Sequence, residues 1–166
     1  MDQAYRDRSQ RDQGSYQEMK YVLVDIDHTL SAAHWRDLLI PMNQEQKTFW
    51  DEYHSNSEWD ELLEDVADVI RSLAAASWYP IAITARPEKW RELTHNWINR
   101  YNLPIYEILM RPNEKCGHPT VDVKLQLFEE RFPAPRTDQF LIIEDRADVA
   151  KAFHELGYTV LQVHAR

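Results

Sequence analysis

The order of apolar and polar segments predicts an α/β fold: a mostly parallel sheet flanked by helices, with a small helical insertion after the first strand. Three observations carry this expectation. Tyr21 to Ile26 is a strand candidate with almost no polar interruption until Asp25, as expected of a strand covered on both faces. Strand-like and helix-period segments then alternate along the chain, the βαβ rhythm of a parallel sheet. Polar residues also collect where the strand candidates end, which is where open parallel sheets bind ligands.

After Tyr21 to Ile26, a helix is predicted over Asp60 to Ala76, where Leu62, Val66, Val69 and Leu73 return to one face. Ile81 to Thr84 is a second strand, and Pro87 suits the first turn of a helix lined by Trp90, Leu93, Trp97 and Tyr101. The stripe of Trp90, Leu93 and Trp97 reads as core packing. Ile105 to Met110 is the third strand, and Val121 to Arg131 a helix with Leu125 and Phe128 at helical spacing. Phe140 to Ile143 is the fourth strand and Ala147 to Leu156 a helix. Gly157 is its stop, and Tyr158 to Val163 the last strand.

Between Leu30 and about Asp60 the chain is too long for a turn and carries Trp35, Phe49, Trp50, Tyr53 and Trp59 among charged residues. A small helical lid over residues 31–60, its aromatics packed on the main domain, accounts for it. Residues 1–19 are polar and aperiodic and read as a flexible tail, leaving one domain over residues 20–166. No apolar run reaches the ~20 residues that span a bilayer, and the N-terminus lacks the apolar stretch of a secretion signal. One cysteine allows no internal disulfide, in keeping with a reducing cytoplasm. A net charge of −9 works against stable, extended nucleic-acid binding but leaves room for a mononucleotide or a strand end held by local Arg and Lys residues. No GxxxxGK phosphate loop is present, so these residues encode no ATP-dependent kinase. A monomer and a homodimer are equally compatible with the pattern.

The strand ends bring together Asp25 and Asp27, Thr84 and Arg86, Arg111, and Glu144 with Asp145, with Lys124 early in a helix that reaches the same edge. Two aspartates at i and i+2 can approach one ligand where the backbone bends, one as a metal ligand and the other displaced toward a leaving group. Adding Glu144 and Asp145 makes a hard oxygen site, which favours Mg²⁺. Such a cluster repels itself without a cation. Thr84 and Lys124 are suited to the remaining phosphoryl oxygens. His34 and Arg36, in the insertion, are candidate substrate contacts, and Arg86, Arg111 and Arg146 serve equally as ion-pair scaffolding or as substrate clamps. Cys116 and His118 are too few for a soft metal site and read as loop residues.

Asp25-Ile26-Asp27-His28-Thr29, Thr84, Lys124 and Glu144-Asp145 stand in the order and strand positions of the four motifs of haloacid dehalogenase-like (HAD) phosphohydrolases, which the chain resembles. It resembles more closely the phosphatase domain of phage polynucleotide kinase-phosphatases. That likeness runs through Ile83-Thr84-Ala85-Arg86-Pro87, Leu109-Met110-Arg111-Pro112, Val123-Lys124, Ile143-Glu144-Asp145-Arg146 and Leu161-Gln162-Val163.

The resemblance implies a Rossmann-like, HAD-like fold and a Mg²⁺-dependent phosphomonoesterase. Its substrate would be a nucleotide or a polynucleotide 3′-phosphate end, and its location the cytoplasm, that of the host for a phage-encoded protein. It implies Asp25 as nucleophile and Asp27 as general acid and base. It implies metal ligation by Asp25, the Asp27 backbone carbonyl and Asp145, supported by Glu144, and phosphate binding by Thr84 and Lys124. His28 stands where the family usually has Gly, as Ala85 commonly does, so His28 and Thr29 are added to the expected substrate contacts. Asp148 is a weaker carry-over. A HAD phosphatase for a small non-nucleotide metabolite and a non-catalytic binding protein on the same scaffold are the alternatives.

Overall fold

In the computed structural model, residues 18–40, 47–134 and 138–164 are described. Most of the expected tail, residues 1–17, lies outside them. The elements in chain order are β1 (Lys20–Val24), β2 (Ser31–Ala32), α1 (Lys47–Ser55), β3 (Glu61–Leu62), α2 (Glu64–Ala75), β4 (Tyr79–Pro87), α3 (Arg91–Arg100), β5 (Glu107–Arg111), α4 (Thr120–Arg131), β6 (Gln139–Glu144), α5 (Ala147–Glu155) and β7 (Thr159–Gln162). Single-turn and short 3₁₀ segments join several of them.

Five strands form one parallel sheet in the order β5-β4-β1-β6-β7. The chain leaves β1 toward β4 on one side and later returns to β6 on the other. The strand order therefore reverses at β1, and the crevice at its carboxyl end is the topological switch point where such sheets bind ligands. The residues that follow β1, the end of β4 and the end of β6 all border that crevice.

The sheet explains why β1 is so apolar. Successive side chains point to opposite faces, and both faces are covered. Val22 and Val24 face a core with Ala67, Ile70, Trp97 and Ile98, built by α2 and α3. Leu23 faces the other layer, where Phe128, Phe132, Phe140, Val149 and Phe153 pack beneath α4 and α5. Gly157 stops α5 as expected: it sits at φ +90°, where a side chain is strained, and Tyr158 N donates back to Phe153 O at 3.2 Å.

Several boundaries depart from the sequence reading. The helix expected from Asp60 begins at Glu64, because Glu61 and Leu62 pair antiparallel with Ala32 and Ser31 and close the base of the insertion. Within α2 it is Ala67 and Ile70 that are fully buried, while Val69 is exposed. The short strand at Ile81 runs from Tyr79 to Pro87, so Pro87 ends a strand rather than opening a helix. Its backbone is extended (φ −61°, ψ 146°), and α3 starts only after the 3₁₀ turn Glu88–Trp90. Of the aromatic stripe, Trp97 is fully buried, whereas Trp90 and Leu93 are half-buried because they precede or open the helix at its rim. The strand placed at Ile105 begins at Glu107.

The insertion after the first strand is helical: a 3₁₀ segment Ala33–Leu39, α1, and a 3₁₀ turn Asn56–Trp59. No helix among the described residues is long and apolar enough to cross a membrane. Phe128 touches Phe132, Phe140, Phe153 and Tyr158 at centroid distances of 5.1–5.4 Å. Phe128→Ala is therefore expected to cost about 3–5 kcal/mol, read as a lower urea midpoint; a change below about 1 kcal/mol would show that this layer repacks freely.

Candidate active site

The segment after β1 is bent by one acceptor. Ile26 is buried in the core, and its carbonyl takes bonds from the N–H groups of Thr29, Leu30 and Ser31 at 3.2, 2.9 and 2.8 Å. Asp25 N still bonds Ile143 O of β6 at 2.9 Å, so Asp25 is fixed by the sheet while Asp27 is already on the turn. His28 takes the left-handed conformation (φ +64°), which costs a non-glycine residue about 1 kcal/mol or more. That is why a glycine would sit there comfortably.

Asp25 is nearly fully buried. Lys124 Nζ, itself buried, donates to Asp25 Oδ1 and to Glu144 Oε2, each at 2.6 Å. Thr29 Oγ1 donates to Asp145 Oδ1 at 3.2 Å and approaches Asp25 Oδ2 at 3.5 Å. One oxygen each of Asp25, Glu144 and Asp145 lies within 4.8 Å of the others. Within this cluster of three carboxylates the one ammonium serves Asp25 and Glu144, while Asp145 accepts from Thr29. Burial pushes the Asp25 carboxyl well up; Lys124 opposes this, and Glu144, Asp145 and Asp27 add to it. Burial likewise raises Glu144 against the pull of Lys124. For Lys124 burial disfavours the ammonium, but Asp25 and Glu144 outweigh it and hold the group above its ordinary range. The excess negative charge and the all-oxygen donor set fit a hard divalent cation.

Asp27 has the opposite environment. Arg86 donates to it from Nη2 at 2.7 Å and from Nε at 3.1 Å, and Arg36 Nη2 reaches it at 2.6 Å. Asp60 completes the set, with Arg36 Nε at 2.7 Å and Arg36 Nη2 at 2.5 Å. Two guanidiniums and two carboxylates balance. Burial opposes ionisation of Asp27, but the charge and hydrogen bonds of Arg86, then the charge of Arg36, hold its carboxyl well below the usual carboxylate range. The Asp60 carbonyl accepts from Trp97 Nε1 at 2.8 Å and Tyr101 Oη at 3.1 Å, and its carboxylate from Trp35 Nε1 at 2.9 Å. Arg36 also donates from Nη1 to Tyr53 O at 3.0 Å and lies 4.2 Å from the Tyr53 ring centroid.

The other sequence candidates fall at different distances from this centre. Thr84 is buried, and its hydroxyl accepts from Arg86 N at 3.2 Å. Arg111 spends its guanidinium on the carbonyls of Ala85, Lys115 and His118 and on Thr120 Oγ1, tying β5 to the following loop. Arg146 is half-exposed and pairs with Asp148 at 2.7 Å. His28 Nε2 lies 3.1 Å from Asp37 Oδ1, and its ring meets the exposed His34 edge-on at 4.7 Å. Cys116 and His118 belong to no three-residue ligand cluster among the described residues. Two residues of the site were missed in the sequence: Asp60, which stands at the start of the expected helix, and His54, which lies unmarked within the expected lid.

Residues 19–166 match the family model described as the polynucleotide kinase PNKP phosphatase domain. The chain belongs to this family. Among curated proteins none matches it. A chain of the Pnkp1/Rnl/Hen1 complex superposes with a TM-score of 0.73 at 25% identity, over 89% of this chain and 47% of that one. A chain of the Pnkp1/Rnl/Hen1 RNA repair complex gives 0.72 at 25% identity, over 88% and 42%. This PNKP-type phosphatase domain therefore spans less than half the length of those chains. YfnB, a HAD-type protein from Bacillus subtilis bound to magnesium, shares the fold alone, with a TM-score of 0.59 at 13% identity over 88% of this chain and 87% of that one. The PNKP-type domain thus has a HAD hydrolase fold with an acidic, catalytic-type cluster at its switch point.

Asp60→Ala leaves two buried guanidiniums short of a partner and is expected to destabilise the chain by about 3–5 kcal/mol; an unchanged melting temperature would show that Asp27 alone satisfies both arginines. A pH dependence follows from His54, which burial, against the pull of Asp27 and with the push of Arg86, Arg36 and Arg111, lowers from 6.5 to about 4. The folded value lies below the unfolded one, so the unfolded chain binds the extra proton between these two values. Stability contributed by neutral His54 is complete above the upper value and lost as pH falls toward the lower, by on the order of 3 kcal/mol. Denaturant midpoints followed from pH 7 to 4 should therefore fall more steeply for the parent than for His54→Gln; parallel curves would contradict it.

Proposed function

We propose that this chain is a Mg²⁺-dependent phosphomonoesterase that removes phosphate from a nucleotide or from a polynucleotide 3′ end through an aspartyl-phosphate. The observation that carries this reading is the division of one DxD pair into two electrostatic settings: Asp25 beside a lysine and two carboxylates, Asp27 between two arginines. Environments that drive neighbouring carboxyls apart mark distinct roles.

Asp25 Oδ2 is the nucleophile, since Oδ1 is held by Lys124. It attacks phosphorus, the bond to the leaving oxygen breaks, and that oxygen takes a proton from Asp27. Water then attacks the acyl phosphate as Asp27 accepts its proton, and Asp25 is regenerated with release of inorganic phosphate. As held by the arginines Asp27 is ionised, ready for the second half. For the first it must take up a proton, and a phosphomonoester carries one below its second pKa of about 6. Substrate oxygens that draw Arg86 or Arg36 away from Asp27 raise its proton affinity at the same moment.

Lys124 neutralises the nucleophile's surroundings, and Thr84 and Thr29 offer hydroxyls to the phosphoryl group. Asp25, Asp145 and the Asp27 carbonyl, with Glu144 behind them, would hold Mg²⁺, which supplies charge neutralisation between carboxylate and phosphate. His28, His34, Arg36, Arg86, Arg111 and Arg146 are proposed to shape the approach of the substrate. Of these Arg111 acts by ordering the loop after β5, because its donors are already spent on carbonyls and Thr120. The nucleic-acid substrate class is supported by the family match and by the repair complex whose chain this one resembles.

Asp25→Asn should abolish phosphate release while leaving the circular-dichroism melt near the parent's; release near the parent rate would refute the nucleophile. Asp27→Asn should lower kcat by about 10²-fold or more with alkyl leaving groups and less with p-nitrophenyl phosphate, whose leaving group needs no acid. Equal losses would remove the acid role. Chelation by EDTA should stop turnover and Mg²⁺ restore it. Hydrolysis of a 3′-phosphorylated oligonucleotide compared with 3′- and 5′-mononucleotides separates end processing from nucleotidase activity, and inertness toward all three would sink both.

A further inference from the structure

His54 stands on α1, in the insertion, and its place there is fixed from several sides. The carbonyl of the preceding residue, Tyr53, accepts Arg36 Nη1 at 3.0 Å, and the carbonyl of His54 itself accepts Ser57 Oγ at 2.7 Å. The imidazole lies 6.0 Å from the Trp50 ring and nearly parallel to it, with the Tyr53 ring 5.3 Å away and edge-on. Through Tyr53 and Arg36 it is linked to Asp27, which Arg36 holds at 2.6 Å. Yet Nδ1 of this buried ring has no hydrogen-bond partner among the described residues. Buried polar atoms are almost always paired, and an exception points to a missing ligand or a working role.

The charges around the ring define what the missing partner is. Asp27, Arg86, Arg36 and Arg111 are the charged groups whose fields reach it. Three cations and burial keep the imidazole neutral, so it offers one N–H and one lone pair rather than a charge. Anionic oxygens of the substrate have Lys124 and the guanidiniums. A neutral, directional group within the field of the proposed leaving-group acid is suited instead to a neutral hydroxyl or amide.

We propose that His54 is a specificity-determining residue: from the insertion it hydrogen-bonds a neutral polar group, a sugar hydroxyl or base edge, of the nucleoside that leaves when the phosphate is transferred. This rests on the phosphomonoesterase reading above and adds the part of the substrate that the insertion recognises. It also accounts for packing the ring against two aromatic neighbours that touch each other: a contact used for discrimination must not rotate away.

The test uses the full chain carrying Asp25→Asn to prevent turnover. Calorimetric titration with thymidine 3′-monophosphate and with inorganic phosphate compares His54 with His54→Gln, His54→Ala and His54→Phe; the last keeps an aromatic ring against Trp50 and Tyr53 should the alanine chain fold poorly. The expected result is a roughly tenfold weaker Kd for the nucleotide in the Ala and Phe chains, most of it recovered in Gln, with the Kd for inorganic phosphate within about twofold throughout. Equal weakening for both ligands would make His54 a prop for Arg36 and overturn the inference, as would unchanged nucleotide affinity or a chain with His54 that binds no nucleotide. Hydrolysis of p-nitrophenyl phosphate by the parent chain tests the phosphatase reading separately: turnover without His54-dependent nucleotide binding leaves that reading standing and removes this one, whereas His54-dependent nucleotide binding without turnover removes the phosphatase reading and, with it, the leaving-nucleoside role given to His54.

Discussion

Four carboxylates, Asp25, Asp27, Glu144 and Asp145, meet at the carboxyl ends of two adjacent strands, and the structure is organised around neutralising them. The sheet supplies no net charge of its own there, so compensation comes from side chains delivered by other elements. Lys124 arrives from α4 and bridges Asp25 to Glu144. Arg86 arrives at the end of β4 and Arg36 from the insertion, and both close on Asp27. An unpaired charge at such depth costs several kcal/mol, so each of these elements is held to the crevice by the same requirement that makes the site reactive.

The two compensations differ in kind, and the difference has chemical consequences. Around Asp25 three carboxylates cluster while one ammonium serves two of them, which leaves room for a cation; burial first, and the neighbouring acids after it, raise the Asp25 carboxyl's proton affinity against the pull of Lys124. Around Asp27 two guanidiniums and Asp60 balance without help, and the carboxyl is held ionised. The residues are two apart in sequence and occupy opposite regimes. In the proposed reaction a substrate phosphate would perturb both, by competing for the arginines and by adding negative charge beside Lys124.

Asp60 joins this chemistry to the fold. Its carboxylate receives Arg36, its carbonyl receives Trp97 and Tyr101 from the α3 layer, and the short pairing of β2 with β3 fixes its approach. The insertion is therefore anchored through the same buried residue that balances the arginines. A change in the packing of α3 is felt at Asp27, and one at the crevice is felt in the core.

The parallel sheet, the insertion after the first strand and the convergence of Asp25, Lys124, Glu144 and Asp145 were legible in the chain. Apolar periodicity reports which faces are covered, and acids at the ends of apolar runs have few places to go in a parallel sheet. The Arg86 and Arg36 clamp was half legible: both residues stood out, but whether they would meet substrate or carboxylate depended on Asp60, 24 residues from Arg36 and 26 from Arg86 and placed by its sequence at the start of a helix. His54 gave no local signal at all. Sequence alone determined the fold class and the four motif groups, because local pattern and strand polarity decide those. Which charges pair, which imidazole is left with an orphaned nitrogen, and how one aspartate is held ionised beside another whose proton affinity burial raises were decided only by tertiary structure, because they depend on distances between residues that burial brings together from five separate segments.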